Sequence, residues 1–209
     1  MEFIDTIRPE DAQGAVAEMY RRQESSWGYV PNYALVFCHR PEVMARWGQL
    51  LAEIKRPMSK RRFELATFAA AHELANTACS LAHGRALREF FSDAEIVAIA
   101  AGRVDGVLDA AEQALVRFAR QVARDASKVN AEQVAELTEL GFDSGEIFDI
   151  AAAAAGRAFF TKMLDALGVH PDSPFGKLDE AFRGPLTVGR PIDTREPARM
   201  PEATVAATS

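Results

Sequence analysis

The sequence predicts an all-α fold, a multi-helix bundle, and three observations carry that prediction. Capping residues followed three positions later by Glu or Gln recur along the chain, glycines close the apolar-periodic runs after them, and no stretch sustains the alternation of a strand. The starts are Ser92 with Glu95, Asp109 with Glu112, Asn130 with Gln133 and Asp143 with Glu146; the stops are Gly102, Gly141 and Gly168.

The elements follow in order. Pro9 and Pro41 sit where a first helical residue belongs, each with an acidic residue next, and open helices over 9–25 and 41–55 around a short one over 32–39. In the helix over 41–55, Val43, Met44, Trp47, Leu50, Leu51 and Ile54 recur at helical spacing and define one buried face. Helices over 59–75 and 77–91 flank Asn76, and those over 93–101, 110–126, 131–140 and 144–167 follow the four capping pairs, giving eight or nine in all. Short connections make neighbours antiparallel. The run Ala151 to Ala155 followed by Gly156 lets one helix backbone approach another closely, within a subunit or across an interface. Residues 1–183 read as a single domain, and 184–209, rich in Pro, Thr, Arg and small residues without helical period, read as an extended or disordered tail.

Composition narrows the function. The 209 residues carry 24 basic and 30 acidic side chains, a net charge of -6, with the basic groups scattered and no aromatic residues interleaved, which argues against a nucleic-acid partner. No window offers a membrane span; the most apolar, Ile147 to Leu167, is interrupted by Asp149, Arg157, Lys162 and Asp165. Two cysteines, Cys38 and Cys79, are too few for a disulfide framework, and the N-terminus lacks a signal layout, so a reducing cytoplasm is expected.

The chemistry concentrates in Glu64, Cys79 and His83. On a helix His83 lies one turn from Cys79 on the same face, and either Asn76 or Thr77 as N-cap puts Cys79 in the first turn, where the helix dipole favours thiolate. His72 and Glu73 begin a zinc-protease-like pair, but Asn76 stands where the second histidine is needed; no metal or cofactor is expected. Asn76, His72, Tyr29 and Phe159 are the candidate pocket residues, with Trp27 and Phe160 as further aromatics that line a pocket or simply fill the core. Arg61, Arg62, Arg85 and Arg88 either receive an anionic substrate or form a solvated face.

The segment Phe63-Glu64-Leu65-Ala66 through Cys79-Ser80-Leu81-Ala82-His83-Gly84 resembles the carboxymuconolactone decarboxylase and alkyl hydroperoxidase D superfamily. Gly28-Tyr29-Val30-Pro31-Asn32, His39-Arg40-Pro41 and Gly189-Arg190-Pro191-Ile192 are similar to flanking stretches of its peroxidase-related branch. The resemblance implies a homo-oligomer (dimer, trimer or hexamer) and a site with Cys79 as peroxidatic nucleophile and Glu64 and His83 as proton relay. That branch carries Cys-x-x-Cys-x-x-x-His, whereas here Asn76 replaces the first cysteine. The implied activity is a single-cysteine peroxidase-like oxidoreductase acting on small hydroperoxides, regenerated by an external thiol, a protein reductant or Cys38. Two alternatives stand beside it: a cofactor-independent decarboxylase-like lyase, isomerase or hydrolase using His83 and Glu64 as acid and base, and a non-enzymatic oligomeric binding protein.

Overall fold

In the computed structural model, which describes residues 2–201, the helices that begin at Asp93, Ala110, Ala131 and Ser144 start directly after the capping residues Ser92, Asp109, Asn130 and Asp143. The described residues form ten α-helices: α1 (Gly14–Trp27), α2 (Asn32–Val36), α3 (Pro41–Lys55), α4 (Lys60–Glu73), α5 (Thr77–Leu87), α6 (Asp93–Ala100), α7 (Ala110–Asp125), α8 (Ala131–Glu139), α9 (Ser144–Ala166) and α10 (Glu180–Leu186). The fold is all-α. The capping boxes at Ser92, Asn130 and Asp143 are reciprocal, each side chain accepting from the N3 backbone while the N3 side chain accepts from the cap. Asp109 accepts from the Glu112 N–H, but the Glu112 carboxylate is turned away to receive the Arg61 guanidinium. The three stopping glycines are left-handed, with φ of 76°, 93° and 75° at Gly102, Gly141 and Gly168.

α4 is the centre. Every residue from Phe63 to Ala71 is buried, so this helix has no solvated face and is wrapped by α5, α7 and α9. Its alanines 66, 69, 70 and 71 let those neighbours approach, and α7 packs on α9 behind it. The Ala-rich stretch of α9 makes its close approach within the chain. Ala153 and Ala154 are buried, and at Gly156 an added Cβ would stand 3.0 Å from the Leu51 side chain of α3, whose Trp47 indole N–H donates to the Gly156 carbonyl at 3.1 Å. A second apolar cluster, with Met19, Tyr20, Val30, Phe37, Cys38, Met44, Cys79 and Phe160, joins α1–α3 to the ends of α5 and α9.

Several sequence expectations need correction. The first helix does not begin at Pro9: a 3-10 turn covers Pro9–Asp11, Ala12 and Gln13 are extended, and α1 starts at Gly14 with φ 51°. α5 stops at Leu87 and α2 at Val36, each followed by tighter turns. The apolar face of α3 is wider than the seam it packs into, so Met44, Leu51 and Ile54 are buried while Val43 and Leu50 are 41% and 55% exposed. α10 was not anticipated, because Gly184 and Pro185 mask a seven-residue helix that buries Phe182 and Leu186 against α5 and α6. Beyond it, residues 187–201 run extended along the bundle: Gly189 N–H donates to Thr77 Oγ1 at 2.9 Å, Arg190 donates to the Asp165 carbonyl at 2.8 Å, and Val30 bridges Ala198. Residues 202–209 of the expected tail lie outside the described residues. No helix among those described is long and apolar enough to cross a membrane.

Candidate active site

Asn76 is the N-cap of α5. Its Oδ1 accepts the Cys79 backbone N–H at 2.9 Å, which fixes the cysteine in the first helical turn. α4 runs antiparallel alongside and presents Glu64, buried, to His83 on the second turn of α5. The Glu64 Oε2 to His83 Nδ1 distance is 2.7 Å, and Thr67 Oγ1 lies 3.2 Å from the same nitrogen. Lys55 Nζ stands 3.6 Å from the other Glu64 oxygen. From α9, Arg157 directs Nη1 to the Cys79 sulfur at 3.7 Å. Cys79, His83, Glu64 and Arg157 all line one cavity of about 280 Å³, whose walls include Trp27, Tyr33, Trp47, Phe160 and Phe175. Trp47 and Phe160 stack at 4.1 Å between centroids, and the Arg157 guanidinium lies 5.4 Å and 5.5 Å from their rings. A larger groove of about 430 Å³ between α1 and α3 holds neither thiol nor imidazole.

The electrostatics assign protonation states. Burial works to raise the Glu64 carboxyl, but the hydrogen bond from His83 and the positive charges of Lys55 and Arg157 outweigh it and leave the group below its ordinary value, hence ionised. Burial pushes the His83 imidazole down, helped by the nearby Arg157 charge and opposed by Glu64, so the ring is neutral. An ionised carboxylate only accepts, so Nδ1 carries the ring proton and Nε2 is left with a lone pair. The expectation of a dipole-favoured thiolate is reversed: Cys79 is 4% exposed, and burial raises its thiol despite the lowering effect of Arg157. Burial also pushes Asp172, at the edge of the cavity, up to about 6.

The three central residues share a cavity, although among the described residues no hydrogen bond joins the sulfur to the His83 ring. The four secondary residues do not line it. Asn76 is 2% exposed, spent as a cap. His72 sits on a different face of α4, beside the Phe68 ring at 5.9 Å, with its Nε2 buried and, among the described residues, without a hydrogen-bond partner. Tyr29 is buried behind Trp27, ring centroids 6.2 Å apart. Phe159 is 42% exposed on the outer surface beside Val43 and Leu50; one residue along a helix is a turn of about 100°, so its neighbour Phe160 faces the cavity instead. Sequence reasoning missed Arg157, Trp47, Tyr33, Phe175 and Asp172. A signal for the arginine was available: Ile150, Ala153, Ala154, Arg157, Thr161 and Leu164 form the buried stripe of α9, with a lone cation in its middle.

No protein-family model matches the sequence, and no curated protein matches it significantly. Solved structures do. The chain is similar to the alkylhydroperoxidase AhpD core of an uncharacterized peroxidase-related protein from Ralstonia eutropha, at TM-score 0.71 and 21% identity over 87% of this chain and 94% of that one. It is also similar to an uncharacterized peroxidase-related protein from Silicibacter, at TM-score 0.68 and 17% identity over 83% and 93%. A cysteine-to-alanine variant of the debrominase Bmp8 in complex with 2,3,4-tribromopyrrole matches at TM-score 0.63 and 18% identity over 87% and 98%. The described residues of this chain therefore have the alkylhydroperoxidase D-like fold.

Proposed function

We propose that the chain is a single-cysteine oxidoreductase that reduces small hydroperoxides at Cys79. The observation that supports this best is the convergence of sulfur, guanidinium and a neutral imidazole on one cavity, with Arg157 Nη1 3.7 Å from Sγ. His83 Nε2 takes the thiol proton, directly or through the peroxide hydroxyl, while Glu64 holds the ring in orientation. The thiolate, stabilised by Arg157, attacks the terminal peroxide oxygen and the O–O bond breaks. Sulfur gives up two electrons and becomes a sulfenic acid, and the leaving alkoxide receives the proton from His83 and departs as an alcohol. Two equivalents of external thiol then return the sulfenic acid to thiol, releasing water and a disulfide. Cys38 is packed in the core near Tyr20 and does not line the cavity, which favours an external reductant over an internal one. The exposed apolar patch of Val43, Leu50 and Phe159 supports a homo-oligomer.

The aromatic walls favour a second reading, in which the same thiolate attacks the halogen of a flat haloarene. A sulfur–halogen bond forms as the carbon–halogen bond breaks, the carbon takes the proton held by His83, and an external dithiol then displaces halide from the sulfur, returning Cys79 to thiol as the dithiol becomes a disulfide. Peroxide consumption and bromide release, each with a dithiol as reductant, separate the two. Cys79→Ser abolishes either activity and His83→Ala lowers it by roughly 10²–10⁴-fold. A Cys79→Ser protein that still consumes peroxide at the wild-type rate, or a wild-type Cys79 that stays a thiol after peroxide treatment, overturns the proposal.

A further inference from the structure

A guanidinium taken out of water costs several kcal/mol unless a counter-charge accompanies it. Arg157 is 6% exposed, and among the described residues no carboxylate lies within ion-pair distance of it. Among those same residues Nε has no hydrogen-bond partner, and Nη1 reaches only the sulfur of Cys79. The carboxylates near the cavity are already committed. Glu64 serves His83 with one oxygen and faces Lys55 with the other, and Asp172 accepts the Asn32 backbone N–H at 2.7 Å. What the protein does give Arg157 is two aromatic faces, Trp47 and Phe160, and a place on the wall of the cavity. The cavity, about 280 Å³, suits a small ligand, and its walls of Trp27, Tyr33, Trp47, Phe160 and Phe175 suit a flat apolar body.

We infer that this cavity binds a small flat organic anion, a carboxylate on an aromatic or unsaturated body, with Arg157 as the receptor for the negative charge. The inference rests on the reading that the cavity is the substrate site, and adds the class of molecule it selects. A planar fork of N–H donors matches a carboxylate, and in a water-poor site the charge-assisted bonds discriminate strongly against a neutral amide of the same shape. The carboxylate supplies the counter-charge that Arg157 lacks while Cys79 is a thiol, and its apolar body displaces water over the sulfur.

The chain has two tryptophans, Trp27 and Trp47, and both line the cavity, so intrinsic fluorescence reads occupancy without any turnover. Wild type and Cys79→Ser are titrated with benzoate and with benzamide, and isothermal calorimetry repeats each measurement. Benzoate should bind about ten- to a hundredfold more tightly than benzamide in both proteins. Arg157→Met should bring the ratio to about one, and Arg157→Lys should keep part of it. Equal affinity for the two ligands in wild type, or an undiminished preference in a folded Arg157→Met protein, overturns the inference. If Arg157→Met does not fold, the wild-type ratio and the Arg157→Lys protein still decide. Because the Cys79→Ser arm needs no reactive thiol, failure of the peroxidase reading and failure of anion selection are separate results.

Discussion

Replacing Asn76 by cysteine rebuilds the dithiol spacing at the start of α5 and tests the capping geometry and the redox reading together. In the reduced variant the Oδ1 acceptor 2.9 Å from the Cys79 N–H is lost at a buried position, which costs about 0.5–2 kcal/mol. In a chain of 209 residues each kcal/mol moves Tm by about 2–4 °C, so the reduced variant should melt about 1–8 °C below wild type. Helix geometry puts Cα atoms three residues apart at about 5 Å, inside the range of roughly 4.4–6.8 Å that a disulfide spans. Closing so short a loop stabilises by about 2 kcal/mol in the chain-entropy treatment, enough to offset most or all of the lost cap. Calorimetry with and without reductant, and mass spectrometry after one equivalent of hydroperoxide, measure both halves. Wild type should yield a sulfenic acid on Cys79, and the variant a disulfide between the introduced thiol and Cys79. A reduced variant as stable as wild type refutes the cap, and a lasting sulfenic acid with no disulfide in the variant refutes the placement of position 76 beside the sulfur.

Asp172 and Gly156 give two further expectations. Folding carries the Asp172 carboxyl from 3.8 to about 6, so the folded state pays for its ionisation as pH rises between those values, by up to about 3 kcal/mol above pH 6. Asp172→Asn keeps an acceptor for Asn32 and should be more stable than wild type in urea at pH 8 but not at pH 4; a difference that does not change with pH would defeat this account. Gly156→Val forces a branched side chain against Leu51 and Ile54 and should cost about 1–3 kcal/mol, with a shift in tryptophan emission as the Trp47 indole loses its carbonyl partner. Unchanged stability would mean that α3 and α9 are not in close contact there.

Much of the fold was legible because helix ends are local chemistry. Ser92, Asn130 and Asp143 cap as their spacing requires, and the stop glycines adopt the conformation that only they take easily. The Glu64, Cys79 and His83 spacing likewise identified residues of one cavity, since α4 and α5 are neighbours joined by a short turn. The remainder was set by distance along the chain. Arg157 is 78 residues from Cys79, and no spacing rule connects them until α9 packs on α4. Phe159 and Phe160 are both aromatic, and only the phase of the buried stripe of α9 tells the cavity residue from the surface one. The expected thiolate failed for a similar reason: the dipole of one helix is visible in sequence, but the burial that opposes it comes from the surrounding helices.

The two cysteines are equally buried, each 4% exposed, yet one opens on a cavity and the other lies under α1 and α2. That makes Cys38 an internal clock for Cys79. A small neutral alkylating reagent reaches Cys38 only when the bundle breathes, whereas it reaches Cys79 also by diffusing in, so the ratio of the two labelling rates within one molecule isolates access from opening. Stability changes move both rates together, and an occupant of the cavity moves only one.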